Sequence, residues 1–125
     1  SGISVEVMGG APGIFSAVWS GTREDKTNRD LLLSQLSDIP DADRAAAFVC
    51  TVALVSDTTE VSFTGIWRGS TARRAAGEGG FGYDPVFIPE GFEVTAAQLD
   101  LEVKNSMSHR FLAMQQMAEY LEQNS

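Results

Sequence analysis

Two short stretches of this chain hold residue types that could do chemistry. The first runs Gly79-Gly80-Phe81-Gly82-Tyr83-Asp84-Pro85-Val86-Phe87 and sets a phenyl ring and a carboxylate among three glycines. Glycine takes φ > 0 without strain and lets a backbone approach a ligand closely, and a plain hairpin would need only one such residue. The second runs Lys104-Asn105-Ser106-Met107-Ser108-His109-Arg110 and includes the only histidine of the chain. Read as the start of a final helix, it puts Lys104 and Ser108 four apart on one face, with His109 and Arg110 on adjacent sides. Cations there oppose the helix dipole by roughly a few tenths of a kcal/mol, a cost that a ligand would offset. The free N–H groups of the same helix end favour an anion.

Together the two stretches make the inventory of a nucleobase pocket. A ring on a glycine-rich turn can stack on a base. A carboxylate can accept from ring or sugar donors, and Lys and Arg can donate to a carbonyl such as O6 of a purine. Plainer readings compete: Asp84 as a turn that ends a strand, Phe81 as core, and the basic stretch as a solvated helix start. Three glycines are poor surroundings for a core anchor, which weighs against the second of these.

For the stretches to meet, the rest of the chain must fold around them. At 125 residues, with 43% hydrophobic and 21% charged side chains, it reads as a single domain, residues 1–125, with an ordinary core. The net charge of −8 argues against a nucleic-acid partner, whose groove would demand a basic face. No apolar run approaches the roughly 18 residues of a membrane span, and no signal peptide is apparent. The lone cysteine, Cys50, lies in an apolar run and reads as a small buried hydrophobe, which suits a cytoplasmic setting.

Ile3, Val5 and Val7 alternate with polar residues as in a half-buried strand, broken by Gly9 to Gly13. Glu24 to Leu36 reads as a helix burying Leu32, Leu33 and Leu36, with Thr22 and Asp25 as a weak capping box. Ala45 to Val55 reads as a central strand, apolar on both faces, paired through a Ser56–Thr59 turn with a strand reaching Trp67. Arg68 to Gly80 reads as a loop and Val86 to Ile88 as a short strand. Thr95 and Gln98 form a capping box, and one helix is expected from about Asn105 to Glu122, with Met114 and Met117 in its packing stripe. Trp19 and Trp67 read as core or interface rather than ligand contacts. The expectation is a mixed α/β domain.

Five segments now resemble a known family: residues 1–17 (SGISVEVMGGAPGIFSA), 27–36 (TNRDLLLSQL), 44–54 (RAAAFVCTVAL), 80–87 (GFGYDPVF) and 104–110 (KNSMSHR). In order and in combination they are similar to the inosine triphosphate pyrophosphatases. The resemblance implies an α/β fold, a mixed twisted sheet flanked by helices, of which this chain is the C-terminal two-thirds, a domain incomplete at its N-terminus. It implies that Phe81 stacks on the purine, that Gly82 and Tyr83 shape the turn, and that Asp84, Lys104, Ser108, His109 and Arg110 surround the base. Ser1 is implied to lie beside the triphosphate. The implied reaction is Mg²⁺-dependent hydrolysis of ITP, dITP or XTP to the monophosphate and pyrophosphate, by a cytoplasmic homodimer. The family's general-base Asp, also a Mg²⁺ ligand, stands just ahead of the position of Ser1, so no catalytic or metal-binding residue is expected in these 125. The alternative expectation is a catalytically incompetent nucleotide-binding or dimerising remnant that self-associates through an uncovered sheet edge or apolar face. The chain departs from the family's usual pattern at Val18, at Phe111 and in the Ala72–Gly80 segment, which lacks the usual Pro.

Overall fold

A computed structural model describes residues 2–78 and 81–124. Four strands form one antiparallel sheet in chain order: β1 (Gly2–Val5), β2 (Ala45–Val55), β3 (Glu60–Thr71) and β4 (Phe87–Pro89). The helices are α1 (Asp25–Gln35), α2 (Leu101–Met107) and α3 (His109–Gln123). This is the expected α/β architecture, and all three strand pairings are antiparallel.

The β2–β3 hairpin forms as the alternation requires, with Phe48 opposite Trp67 and Cys50 opposite Gly65. β2 is central, but its two faces differ. Ala46, Phe48 and Cys50 are buried on one face, whereas the residues towards Val55 become exposed. β3 continues through Arg68 to Thr71, where a loop was expected. Gly69, Ser70 and Thr71 gain partners in β4, and Thr71 N–H donates to the Arg44 carbonyl. β1 stops at Val5. Glu6–Met8 turn in a single 3₁₀ turn ending in a left-handed Gly9, which leaves Val7 exposed rather than inward.

Around Phe48 the core is aromatic. Its ring lies 4.5 Å from Phe87 and 6.2 Å from Trp67, with Ile3, Val5, Leu32, Leu36 and Val86 closing the cluster. Full burial of such side chains contributes about 1.5–3 kcal/mol each. Trp67 is core and Trp19 packs against it, the latter donating Nε1–H to Gln35. α1 buries Leu32 and also Asn28, whose amide bonds Ser20 N–H, the Ala17 carbonyl and the Thr22 carbonyl. The expected Thr22–Asp25 box is absent. Glu24 is the N-cap, and Thr22 Oγ1 instead accepts the Glu24 N–H.

The apolar spacing across Asn105–Glu122 suggested one helix, but the chain breaks at Ser108. That residue takes an extended conformation and its hydroxyl accepts the Phe111 N–H, so it ends α2 and caps α3. Periodicity cannot see such a break, because the apolar residues resume in phase. The first turn of α3 lies directly on β3. A Cβ at Gly65 would collide with the His109 carbonyl and the Ala113 nitrogen, so only glycine permits this approach.

Candidate nucleotide-base site

The β1 end of the sheet, the Phe81–Asp84 turn and the α2–α3 junction enclose a cavity of about 540 Å³. Every expected base-site residue among those described lines it: Phe81, Gly82, Tyr83, Asp84, Lys104, Ser108, His109 and Arg110. Ser1 lies outside the described residues, as do Gly79 and Gly80.

Phe81 is 58% exposed, which excludes the core reading. Its ring has the Arg110 guanidinium carbon 4.9 Å and the Lys104 ammonium 5.4 Å from its centroid. These are cation–π distances, each worth about 0.5–1 kcal/mol at an exposed site. Asp84 ties the turn to the helix junction: one carboxylate oxygen accepts from Lys104 Nζ at 2.5 Å and from the Phe81 N–H at 3.2 Å. Both partners of this ion pair are largely buried. Helix placement also changes the electrostatic picture. Lys104 occupies the last turn of α2, where the dipole favours a cation, and only Arg110 faces the unfavourable end of α3.

Tyr83 is buried and donates its hydroxyl to the Ser16 carbonyl at 2.6 Å. Burial, reinforced by the nearby Asp25 carboxylate, pushes its pKa up to about 12, so it remains a neutral donor. Gly82 has φ of +61°, a conformation that glycine supplies without strain. His109 stacks on Phe48 with centroids 4.9 Å apart and planes 20° from parallel. Ser108 Oγ accepts the Phe111 N–H in the α3 cap, which still allows its O–H to donate.

Burial first, then the Arg110 charge, lowers the His109 pKa from 6.5 to about 4, with Asp84 pulling the other way. The imidazole is therefore neutral at pH 7. Below pH 6.5 the unfolded chain binds a proton that the folded chain refuses, so stability falls as the pH drops towards 4 and levels off beneath it. Lowering the pKa from 6.5 to about 4 makes this a stability difference on the order of 3 kcal/mol. Urea titrations should show wild type losing about that much more stability than His109→Gln between pH 7 and pH 4.

Sequence reasoning missed several lining residues. Asp25 of α1 reaches the Gly82 backbone, Phe48 supplies the plate beneath His109, and Ser16 receives Tyr83, while Arg29, outside the lining, bonds the Gly82 carbonyl from α1. Met114, assigned to packing, is half-exposed at the cavity edge. None of these contacts has a local signature, because the partners lie far apart in the chain.

Residues 1–120 match the Ham1 family. The chain belongs to the Ham1 family. This Ham1 chain is 54% identical over 112 residues to a dITP/XTP pyrophosphatase of Leifsonia xyli, covering 88% of the chain and 56% of that relative. It is 52% identical over 115 residues to one of Mycobacterium tuberculosis, covering 91% and 56%. Among solved structures, it superposes on a nucleoside-triphosphatase, dITP/XTP pyrophosphatase, from Mycobacterium abscessus with TM-score 0.84 and 50% identity, over 94% of the chain and 63% of that structure. It superposes on the Staphylococcus aureus Ham1 protein with TM-score 0.93 and 36% identity, over 99% and 65%. The Ham1 chain thus spans somewhat over half the length of these curated relatives.

Among the described residues, no three His, Cys, Asp or Glu side chains gather to hold a metal ion. The two cavity carboxylates are already committed, Asp84 to Lys104 and Phe81 and Asp25 to the Gly82 N–H. These residues do not by themselves fit a Mg²⁺ site. No described helix is long and apolar enough to cross a membrane.

Proposed function

We propose that this chain recognises the base of a 6-oxopurine nucleoside triphosphate, ITP, dITP or XTP, as part of a nucleoside triphosphate pyrophosphatase. One observation carries the reading: an exposed phenyl ring with two cations within 5.4 Å of its centroid, at the rim of a cavity large enough for a nucleobase. Phe81 stacks on the purine. Lys104 and Arg110 offer N–H donors to the 6-oxo oxygen, and Asp84 holds Lys104 in place. Adenine presents a 6-amino group to those same donors, which leaves buried polar groups unpaired, and discrimination on that basis reaches about 10⁴–10⁵. The names of the relatives, each about half identical to this chain, support the same substrate class.

Recognition is the part assigned to residues 2–124. Mg²⁺ and the activation of water we place on carboxylates beyond the described residues, as a domain larger than residues 1–125 would supply. A homodimer is part of the same proposal, supported by apolar side chains left exposed at the hairpin tip and late in α3, among them Val55 and Leu121. A reducing, cytoplasmic setting suits the buried free thiol of Cys50.

Calorimetric titration of the 125-residue chain with ITP and ATP tests the reading. ITP is expected to bind and ATP to bind at least tenfold more weakly. Arg110→Ala should weaken ITP binding by about 10–100-fold, the value of a hydrogen bond to a charged group. Equal binding of the two nucleotides, or an Arg110→Ala variant that binds ITP as wild type does, overturns it.

A further inference from the structure

From the geometry we infer that Asp25 and Arg29 of α1 are positioning residues for the stacking ring, acting through the Gly82 backbone; this rests on the base-site reading above. The two side chains sit one helical turn apart, on the same face of α1. Asp25 Oδ2 accepts the Gly82 N–H at 3.1 Å, and Arg29 Nη1 donates to the Gly82 carbonyl at 2.9 Å. They therefore grip both polar groups of the residue that follows Phe81. The turn also needs outside support. Gly82 stands at φ +61°, and a Cβ built there would meet nothing within 4 Å, so no packing fixes this backbone from the side. A left-handed glycine directly after an exposed phenyl ring leaves that ring free to be re-aimed. Asp84 holds one side of Phe81 by its N–H, and the α1 pair holds the other side through Gly82.

Arg29 has a double use here. One guanidinium nitrogen is directed at the Gly82 carbonyl, and the guanidinium also lowers the Tyr83 pKa against the larger effects of burial and Asp25. Neither side chain is needed to hold α1 itself, which is anchored by Leu32, Leu36 and Asn28. A defect in the clamp should therefore appear in ring placement and ligand binding, not in global stability.

The test uses the 125-residue chain with ITP as probe and two readouts. In the free chain, Asp25→Ala should accelerate amide exchange at Gly82 by about tenfold while leaving the urea midpoint in place, and Asp25→Asn, which keeps an acceptor, should largely restore protection. In ITP titrations, Asp25→Ala and Arg29→Ala should each weaken binding by about tenfold. Arg29→Lys should recover part of that loss. In the Phe81→Ala background the same substitutions should have little further effect, because the ring they aim is gone. Lys26→Ala, on the solvent side of α1, serves as the control and should bind as wild type. Unchanged exchange at Gly82 in Asp25→Ala overturns the clamp whatever the ligand does. Should Phe81→Ala weaken ITP binding while Asp25→Ala and Arg29→Ala leave it intact, the clamp alone falls. Should Phe81→Ala itself leave binding unchanged, the base-site reading falls, and the functional role of the clamp with it.

Discussion

Asp84→Ala is expected to remove on the order of 3–5 kcal/mol of stability and at the same time to abolish measurable ITP binding. The stability loss follows from Lys104. Its side chain is 14% exposed, its ion pair is with Asp84, and without that carboxylate a charge remains in a site largely closed to water. The binding loss follows from Phe81, whose N–H loses its acceptor just where the ring must be aimed. The two effects separate in a double variant. Adding Lys104→Met to Asp84→Ala removes the stranded charge and should recover most of the stability, because an apolar pair of similar volume is close to neutral. It should not recover binding, since both the donor and the aim of the ring are gone. Urea midpoints and ITP titrations on the three variants check this, and a double variant that regains affinity would refute the assigned roles.

Arg44→Met should be as damaging to the fold and nearly silent at the site. Arg44 is 2% exposed, and its guanidinium donates to four backbone carbonyls: Leu36, Ile39, Thr71 and Ala72. These belong to the end of α1, the loop after it and the end of β3, so one side chain closes the seam between them. Burial lowers its pKa, with Arg73 adding to the effect, yet an arginine stays charged there. Methionine fills the volume but leaves four acceptors without a donor, at about 1–3 kcal/mol for each that water cannot reach. A net loss of about 4 kcal/mol in urea unfolding is expected, with ITP affinity of the folded fraction within about twofold of wild type. Arg44→Lys should fail in a smaller way, because an ammonium cannot span the same four carbonyls.

Arg44 also shows where the sequence is silent. An arginine beside a strand reads as a surface charge, and nothing in its neighbours announces that the acceptors come from a helix end and a distant strand. The same holds for Arg68 to Thr71, which lack apolar alternation and become strand because Arg68 to Ser70 pair with β2 and Gly69 to Thr71 with β4. By contrast the β2–β3 hairpin was legible from its alternation and turn, and the Thr95–Gln98 capping box formed as read. The α2–α3 break was not legible, since Ser108 interrupts the backbone without interrupting the apolar phase. In the site, the residue types along the cavity are unusual for their surroundings, so Phe81, Asp84, Lys104 and Arg110 stood out. Asp25 and Arg29 bond a backbone group more than fifty residues away, and a backbone partner leaves no mark in the sequence.

The bare strand position at Gly65 has a wider consequence. Because α3 rests on it with no side chain between, the seat of His109 and Arg110 has no spacer that drift could lengthen or trim. Change in the cavity is then confined to its rim, to residues such as Phe111 and Met114, while any new side chain beneath the helix mouth would tilt His109 and Arg110 together.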